Sequence, residues 1–438
     1  MVNLSDQQQA GIDKIRAWYS GAGDGFSADV FRLFGPAGTG KTTMAKAIPE
    51  ALGAKTVFGA FTGKAAHVLR TKGASPVSTI HSAIYFPTTS TEAVQALRTA
   101  REELAEVAEE WTEAAAYPGG GSPDVWGPLL ARKEELEAQL PALEHAARQI
   151  GWELNLESEW AHADLIILDE VSMVGAKLAA DIEALEVPIL VLGDPAQLPP
   201  VEGGGYYTDA EPDYLLTEPH RFFLESQVGE LATRVRLSKG PELGMTPADR
   251  DAPSVRAAME ADQVLVWSNK RRWTMVNAIR KNLDRPLDQV VAGDRIMCLT
   301  NNKDLAVFNG QQFQVLDTQP GALGPTLTVL DLDNGVERTI PVYADGFQGQ
   351  EAQVAAKNSG AGMRSQRMLA TFAQAITVHK AQGSQWGHVY VVDETPTMIW
   401  AAGKKEGPRR AVDQARQWMY TAVTRASDRV TVSQPGRR

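Results

Sequence analysis

Cysteine is almost missing from this 438-residue chain, as are long apolar runs and internal repeats, and each scarcity narrows what the protein can be. The single cysteine, Cys298, lies in the strand-like run Ile296-Met297-Cys298-Leu299. No intrachain disulfide is possible, and a small core residue in a reducing compartment is expected. No stretch of about 18 apolar residues occurs, so no membrane-spanning helix is expected. The N-terminal Met1-Val2-Asn3-Leu4-Ser5-Asp6 has no basic segment leading into an apolar one, which argues against secretion. No repeat of fixed period is present, and at this length two to four domains are expected, with ample chain for buried cores.

Positive charge is also short, with a formal net charge of −11, but the deficit is local. Fifteen Asp and Glu against five Lys and Arg lie between Thr88 and Trp160, so that segment carries −10 of the total. The remainder is nearly neutral, and a local cationic groove for phosphates is compatible with it.

What is present begins at residues 35 to 43, Gly-Pro-Ala-Gly-Thr-Gly-Lys-Thr-Thr, which follow the apolar run Val30, Phe31, Leu33, Phe34. A glycine-rich loop leaving a buried strand and entering a helix, here over Met44 to Ala51, is a phosphate-binding loop. Gly35, Gly38 and Gly40 let backbone N–H groups reach the β-phosphate, Lys41 reaches the β and γ oxygens, and the Thr42 hydroxyl is placed to hold Mg²⁺. A second strand, Leu165-Ile166-Ile167-Leu168, is apolar throughout, as a central parallel strand should be, and delivers Asp169 and Glu170 to its carboxyl edge. Asp169 suits Mg²⁺, and Glu170 suits the attacking water of ATP hydrolysis. A third strand, Ile189-Leu190-Val191-Leu192, runs into Gly-Asp-Pro-Ala-Gln-Leu-Pro-Pro at 193 to 200, where Gln197 can sense the γ-phosphate.

The acidic segment repeats Val94, Leu97, Arg101, Leu104, Ala108, Trp111 and then Leu129, Leu136, Leu140, Leu143, Ala147, Ile150 at three- and four-residue steps. Two amphipathic helices are predicted, folded back as a hairpin about Pro118-Gly119-Gly120-Gly121-Ser122-Pro123. Pro141 either kinks the second helix or restarts it near Leu140. The hairpin's role stays open between an arm, a strand-separating prop and a stabilising insertion. Further on, Val264 to Trp267, Ile376 to Val378 and His388 to Val392 read as strands and Arg272 to Asn282 as a helix, a second α/β unit. Within it, alternating runs such as Gln312 to Leu316 and Thr326 to Leu330 suggest a small β-barrel over 311 to 364.

Taken in order, the motifs resemble those of superfamily-one helicases of the RecD-like and Dda-like group along nearly the whole chain. Leu4-Ser5-Asp6-Gln7-Gln8 resembles the adenine-reading glutamine motif, with Gln8 as reader, and Gly35 to Thr43 resembles the P-loop. Thr62-Gly63-Lys64-Ala65-Ala66 and Ser78-Thr79-Ile80-His81 resemble DNA-contacting motifs, although Phe61 stands where the group usually has proline. Asp169 to Met173 and Gly193 to Pro200 are the most specific matches. Leu216 to Arg221 and Tyr420 to Ala426 resemble the motifs that supply arginine fingers, Thr377 to Ser384 one that touches DNA and nucleotide, and Val307-Phe308-Asn309-Gly310 the lead-in to an SH3-like barrel.

The resemblance implies an α/β protein of two RecA-like P-loop NTPase domains, with a helical hairpin inserted in the first and an SH3-like β-barrel in the second. The first core would be 1–87 with 161–222, the hairpin 88–160, the second core 223–310 with 365–438, and the barrel 311–364. The implied catalytic set is Lys41, Glu170, Gln197, Arg221 and Arg425. ATP would be held by Gln8, Gly35, Pro36, Ala37, Gly38, Thr39, Gly40, Lys41, Thr42, Thr43, His220 and Gly383, and Mg²⁺ by Thr42 and Asp169. Single-stranded DNA would contact Thr62, Lys64, Thr79, His81, Thr377 and His379. The expected activity is ATP-dependent unwinding of DNA by a monomer moving 5′ to 3′ on the single strand, with ss/ds junctions and replication or single-strand-binding proteins as partners. A soluble cytoplasmic protein of a bacterial cell or phage-infected host is implied. A translocase or RNA-directed helicase on the same motor, and a non-catalytic ATP-switched clamp, are the alternatives.

Overall fold

The computed structural model describes residues 4–21, 30–89, 91–116, 123–148, 150–200, 205–218, 226–302, 304–322, 324–358 and 366–434. The chain separates into two compact units, 1–80 with 159–438, and 81–158.

The larger unit is built on two parallel sheets and one antiparallel sheet. The first parallel sheet runs Val77–Thr79, Thr56–Ala60, Leu165–Asp169, Ile189–Gly193, Val30–Phe34, Tyr214–Leu215 in spatial order. Its central strands Leu165–Asp169 and Ile189–Gly193 are buried at every position, which is why they read as unbroken apolar runs. Phe34 stands opposite Gly193, and Ala60 opposite Asp169. Because all pairs are parallel, the loops after Phe34, Ala60, Asp169 and Gly193 emerge together at the carboxyl edge, where ligands bind in such sheets.

The second parallel sheet is Ala375–Thr377, Gln263–Val266, Trp386–Val391, Ala426–Val432. The helix Asn269–Asn282 that follows Gln263–Val266 starts at Ser268, whose hydroxyl accepts the Arg271 N–H at 3.1 Å. A long helix, Pro408–Val423, packs its Trp418, Met419 and Tyr420 into a core with Leu198, Val389 and Val432.

The alternating segments form a five-stranded antiparallel sheet, Glu337–Pro341, Thr326–Asp331, Gln312–Gln319, Arg295–Cys298, Ala370–Phe372. Two of its strands come from outside 311–364, because Ile296 and Cys298 face the same apolar cluster as Phe313 and Phe372. Cys298 is fully buried, as its neighbours predict, and burial pushes its thiol up to about 12.

In the smaller unit, helices Thr91–Ala116 and Pro123–Arg148 pack on each other, with Arg132 bonded to Glu103 at 2.7 Å. The second helix runs through Pro141 without a break. Pro141 and Glu137 are both exposed, so the Glu137 carbonyl, to which the proline has no N–H to donate, is open to water. The seam stops earlier than the periodicity predicts: Ile150 belongs to the strand Ile150–Leu154, which pairs antiparallel with Tyr85–Thr89. Among the described residues no helix is long and apolar enough to cross a membrane.

Candidate nucleotide site and its flanks

The phosphate loop turns directly off the buried strand Val30–Phe34 and enters the helix Lys41–Leu52. Gly38 and Gly40 have φ of 81° and 77°, left-handed values that favour glycine. The Lys41 ammonium donates to the carbonyls of Gly35 and Pro36 at 2.7 and 3.0 Å, so it sits over the loop. One helix position on, the Thr42 hydroxyl donates to Asp169 Oδ2 at 2.9 Å, across from the neighbouring strand end.

Glu170 follows Asp169 in the left-handed region, with φ 56° and ψ 42°. Such a conformation is costly for a residue with a side chain and is found where a side chain must be aimed. Its carboxylate lies 3.9 Å from the Arg425 guanidinium, with side-chain exposures of 28% and 7% respectively. Burial raises the Glu170 carboxyl above the usual range, opposed by the charges of Arg425 and Lys41. Gln197 is buried, and its Oε1 has no hydrogen-bond partner among the described residues, an acceptor left for something outside the protein.

One cavity is lined by Ala37, Gly38, Gly40, Lys41, Thr42, Thr43, Asp169, Glu170, Gln197, Gly383 and Arg425. The first parallel sheet supplies most of these groups and the second supplies Gly383 and Arg425. Gly383 has φ 77°, and a Cβ there would come within 3.2 Å of the Ala65 backbone N, so the two halves touch at a glycine.

Mg²⁺ fits this donor set. Two hard oxygens, the Thr42 hydroxyl and the Asp169 carboxylate, stand side by side at the phosphate loop. Among the described residues no cluster of three or more His, Cys, Asp or Glu makes a closed cage, so phosphate oxygens would complete the shell.

Other predicted site residues fall elsewhere. Gln8 is buried beside the loop, outside the cavity lining: its Oε1 accepts from Ser5 N at 2.9 Å and its Nε2 donates to Thr39 O at 3.0 Å. Thr39 turns its hydroxyl back to Pro36 O at 2.9 Å. Gly35 has no room for a side chain, since a Cβ would lie 2.9 Å from Leu216 Cβ. His220 and Arg221 lie outside the described residues.

The predicted DNA contacts are spread. Thr62 caps the helix Gly63–Thr71 by accepting the Ala65 N–H at 3.1 Å. Lys64 lines the nucleotide cavity and pairs with Asp333, on the turn after Thr326–Asp331; burial lowers its ammonium to about 8. Thr79 ends the strand Val77–Thr79 opposite Ala60. Thr377 ends Ala375–Thr377 and precedes the short helix Val378–Ala381, which carries His379, lowered in pKa by burial. His81 belongs to the smaller unit, where its ring lies 5.7 Å from that of Tyr85 and burial lowers its pKa.

Sequence reasoning gave no role to Asp194, Gln417, Tyr420 or Thr421. The Tyr420 hydroxyl donates to Asp194 Oδ2 at 2.7 Å and accepts the Ala37 N–H at 3.0 Å. Thr421 Oγ1 accepts from Leu198 N at 2.9 Å and Gln417 donates to Pro195 O at 3.3 Å. For Gln417, Tyr420 and Thr421 the signal is position, with Tyr420 and Thr421 three and four residues after Gln417 on one helix; Asp194 offers none beyond its place after the strand Ile189–Gly193.

A phosphate loop, an acidic strand end and an arginine facing one cavity define a P-loop NTPase. The chain belongs to the AAA domain family, whose model matches residues 26–250, more than half of it. It is also similar to the ATP-dependent RecD2 DNA helicase of Deinococcus radiodurans, 28% identical over 300 residues, which are 62% of this chain and 36% of that protein. The match thus spans about a third of the relative's length. This agrees with the superfamily-one, RecD-like resemblance of the motifs. Among solved structures, the Pif1 helicase from Candida albicans is 16% identical, with 100% of this chain and 95% of that chain covered and a TM-score of 0.47. Pif1 helicase from Bacteroides in complex with ADP-AlF3 and ssDNA is 16% identical, covering 99% and 93%, with a TM-score of 0.49.

Proposed function

We propose that this chain is an ATP-dependent DNA helicase that moves on single-stranded DNA, 5′ to 3′, and opens duplex DNA ahead of it. The observation that carries the proposal is the shared cavity, in which hydrolytic groups of one parallel sheet meet Arg425 and Gly383 of the other. The loop N–H groups and Lys41 bind the phosphates of ATP. Glu170 orients the attacking water and takes its proton, with Gln197 beside it, while ADP leaves from the γ-phosphorus. Arg425 stabilises the charge that develops on the transferred group. Mg²⁺, held by Thr42 and Asp169, supplies charge neutralisation at the phosphate oxygens when bound. Arg221 is the second finger.

Because the arginine and the phosphate loop stand on different sheets, catalysis needs the two halves together, and product release lets them part. Thr62, Lys64, Thr79, His81, Thr377 and His379 would hold the DNA backbone, so binding is independent of sequence. On this reading the sheets are two RecA-like cores, the antiparallel strands an SH3-like barrel and unit 81–158 a helical-hairpin insertion. The RecD2 relative supports DNA as the nucleic acid.

The test is steady-state ATP hydrolysis with and without single-stranded DNA, then unwinding of duplexes with a 5′ or a 3′ tail. Stimulation by DNA with unwinding from the 5′ tail alone is expected. Stimulation without unwinding would indicate a translocase, stimulation only by RNA an RNA-directed motor, and no hydrolysis a clamp.

A further inference from the structure

Tyr420 is 1% exposed and lies on the second sheet's long helix, yet its hydroxyl makes both of its contacts to the first sheet's loops. Its partners are the Ala37 N–H of the phosphate loop and the carboxylate of Asp194, which follows the strand Ile189–Gly193. Asp194 is itself 2% exposed and uses its other oxygen to accept the Ala196 N–H at 3.0 Å, fixing the loop that carries Gln197. Gln417 and Thr421 hold the same loop from the same helix face. Five residues after Tyr420 comes Arg425, whose Nε donates back to Thr421 O at 3.2 Å. A phenol suits this place because it has one proton to give and lone pairs to accept with. A phenylalanine would fill the same space and leave a partly buried N–H and a buried carboxylate oxygen without their partner.

We propose that Tyr420 is a positioning residue for ATP hydrolysis. Its hydroxyl is a two-ended latch that holds the phosphate loop and the Gln197 loop in register with Arg425 when the two parallel sheets are closed. The proposal rests on the ATPase reading above. The latch forms only when the helix is seated, so it reports closure to the phosphate loop by a route separate from the arginine. Asp194 also lines the cavity, and its charge acts on Glu170 whether or not the latch is made; what the latch sets is where the loops stand.

The test compares wild type with Tyr420→Phe, Asp194→Asn and the double variant. The readouts are kcat and KM for ATP without DNA, Tm, and the ratio of single-stranded DNA affinities with and without a non-hydrolysable ATP analogue. Tyr420→Phe is expected to fold, to lose ten- to a hundredfold in kcat, about the effect of a displaced reacting geometry, and to change KM by less than about threefold. Its nucleotide-linked ratio of DNA affinities should fall toward one. Asp194→Asn, which weakens the same bond from its other end, should lower kcat at least threefold and should not restore the double variant. Should Tyr420→Phe fail to fold, Asp194→Asn decides alone. Unchanged kcat in the folded variants, or recovery in the double variant, overturns the latch; recovery would mean the hydroxyl only neutralises a buried carboxylate. Absence of DNA stimulation in wild type would instead overturn the motor reading, leaving the latch to be judged on hydrolysis without DNA.

Discussion

Replacing Glu170 with glutamine isolates the proposed base, because the side chain keeps its volume and its backbone position and loses only the ability to take a proton. A positioned general base is worth about 10²- to 10⁴-fold, or about 2.7 to 5.5 kcal/mol at 1.36 kcal/mol per tenfold. The substitution also removes the Arg425 contact at 3.9 Å. Glu170 keeps 28% of its side-chain surface in contact with solvent, so water screens that pair, and its net value is no more than about 1 kcal/mol. The chemical loss therefore dominates. Glu170→Gln is expected to lower DNA-stimulated kcat by at least about a hundredfold, with nucleotide affinity changed by less than about fivefold, since glutamine disturbs no phosphate ligand. Glu170→Asp keeps the carboxylate but draws it back by one methylene and should fall between glutamine and wild type. The assay is coupled-enzyme hydrolysis at saturating DNA, alongside equilibrium binding of a fluorescent ADP analogue. Hydrolysis by Glu170→Gln within threefold of wild type would refute the assignment, as would a loss matched by an equal loss of nucleotide binding.

Four further substitutions or deletions have expected outcomes. Lys41→Ala removes an ammonium bonded, among the described residues, to the carbonyls of its own loop; turnover should be abolished while the Tm stays within a few degrees, and normal hydrolysis would overturn the site. Gly383→Ala forces a side chain into φ 77° and to within 3.2 Å of the Ala65 backbone, at a cost of about 1–2 kcal/mol; urea unfolding should show it, with slower hydrolysis from impaired closure. Asp249 is held well below the usual carboxylate range by the Arg234 guanidinium at 2.6 Å and by Thr246. Its stabilisation is present above the unfolded pKa of about 3.9 and is lost as pH falls toward the folded value. Asp249→Asn should therefore cost about 1 kcal/mol at pH 7 and progressively less in acid, measured by denaturant titration across pH. Shortening both helices of unit 81–158 should reduce unwinding more than hydrolysis; equal unwinding would make the unit an accessory.

The parts of the site that were legible in the sequence are those where local pattern and final geometry coincide. A strand buried on both faces reads as an apolar run, and the residue after it must sit at the sheet edge. Lys41, Thr42, Asp169 and Glu170 are therefore legible from local pattern alone, and the Thr42–Asp169 bond joins two such edges. What escaped depends on partners far away in the chain. Gln8 is read by resemblance as the adenine contact, and only the fold shows both ends of its amide engaged, by Ser5 and Thr39. Lys64 is read by resemblance as a DNA contact, and only the fold brings Asp333 to it. Tyr420 enters the sequence only as the first residue of the motif that carries Arg425; its burial and the hydroxyl's two partners cannot be inferred from spacing. Pro141 misleads for the opposite reason, since a local rule predicts a disturbance that exposure to water makes cheap.

The helix Pro408–Val423 explains how such distant pieces can act as one machine. Gln417, Tyr420 and Thr421 occupy one face at three- and four-residue spacing from Gln417, so they engage the 194–198 loop as one set. Arg425 follows on the same turn sequence and reaches the cavity with them. On the proposed function, opening the halves would break the contacts to Pro195, Asp194, Ala37 and Leu198 in one step, together with the approach of Arg425 to Glu170. Contacts that break together make a two-state device and not a graded one, which is what coupling a chemical step to a movement requires. The net charge of the chain has no part in this. Its excess acid lies in the separate 81–158 unit and its flanks, and the cavity's chemistry is decided by the few groups that the two parallel sheets bring face to face.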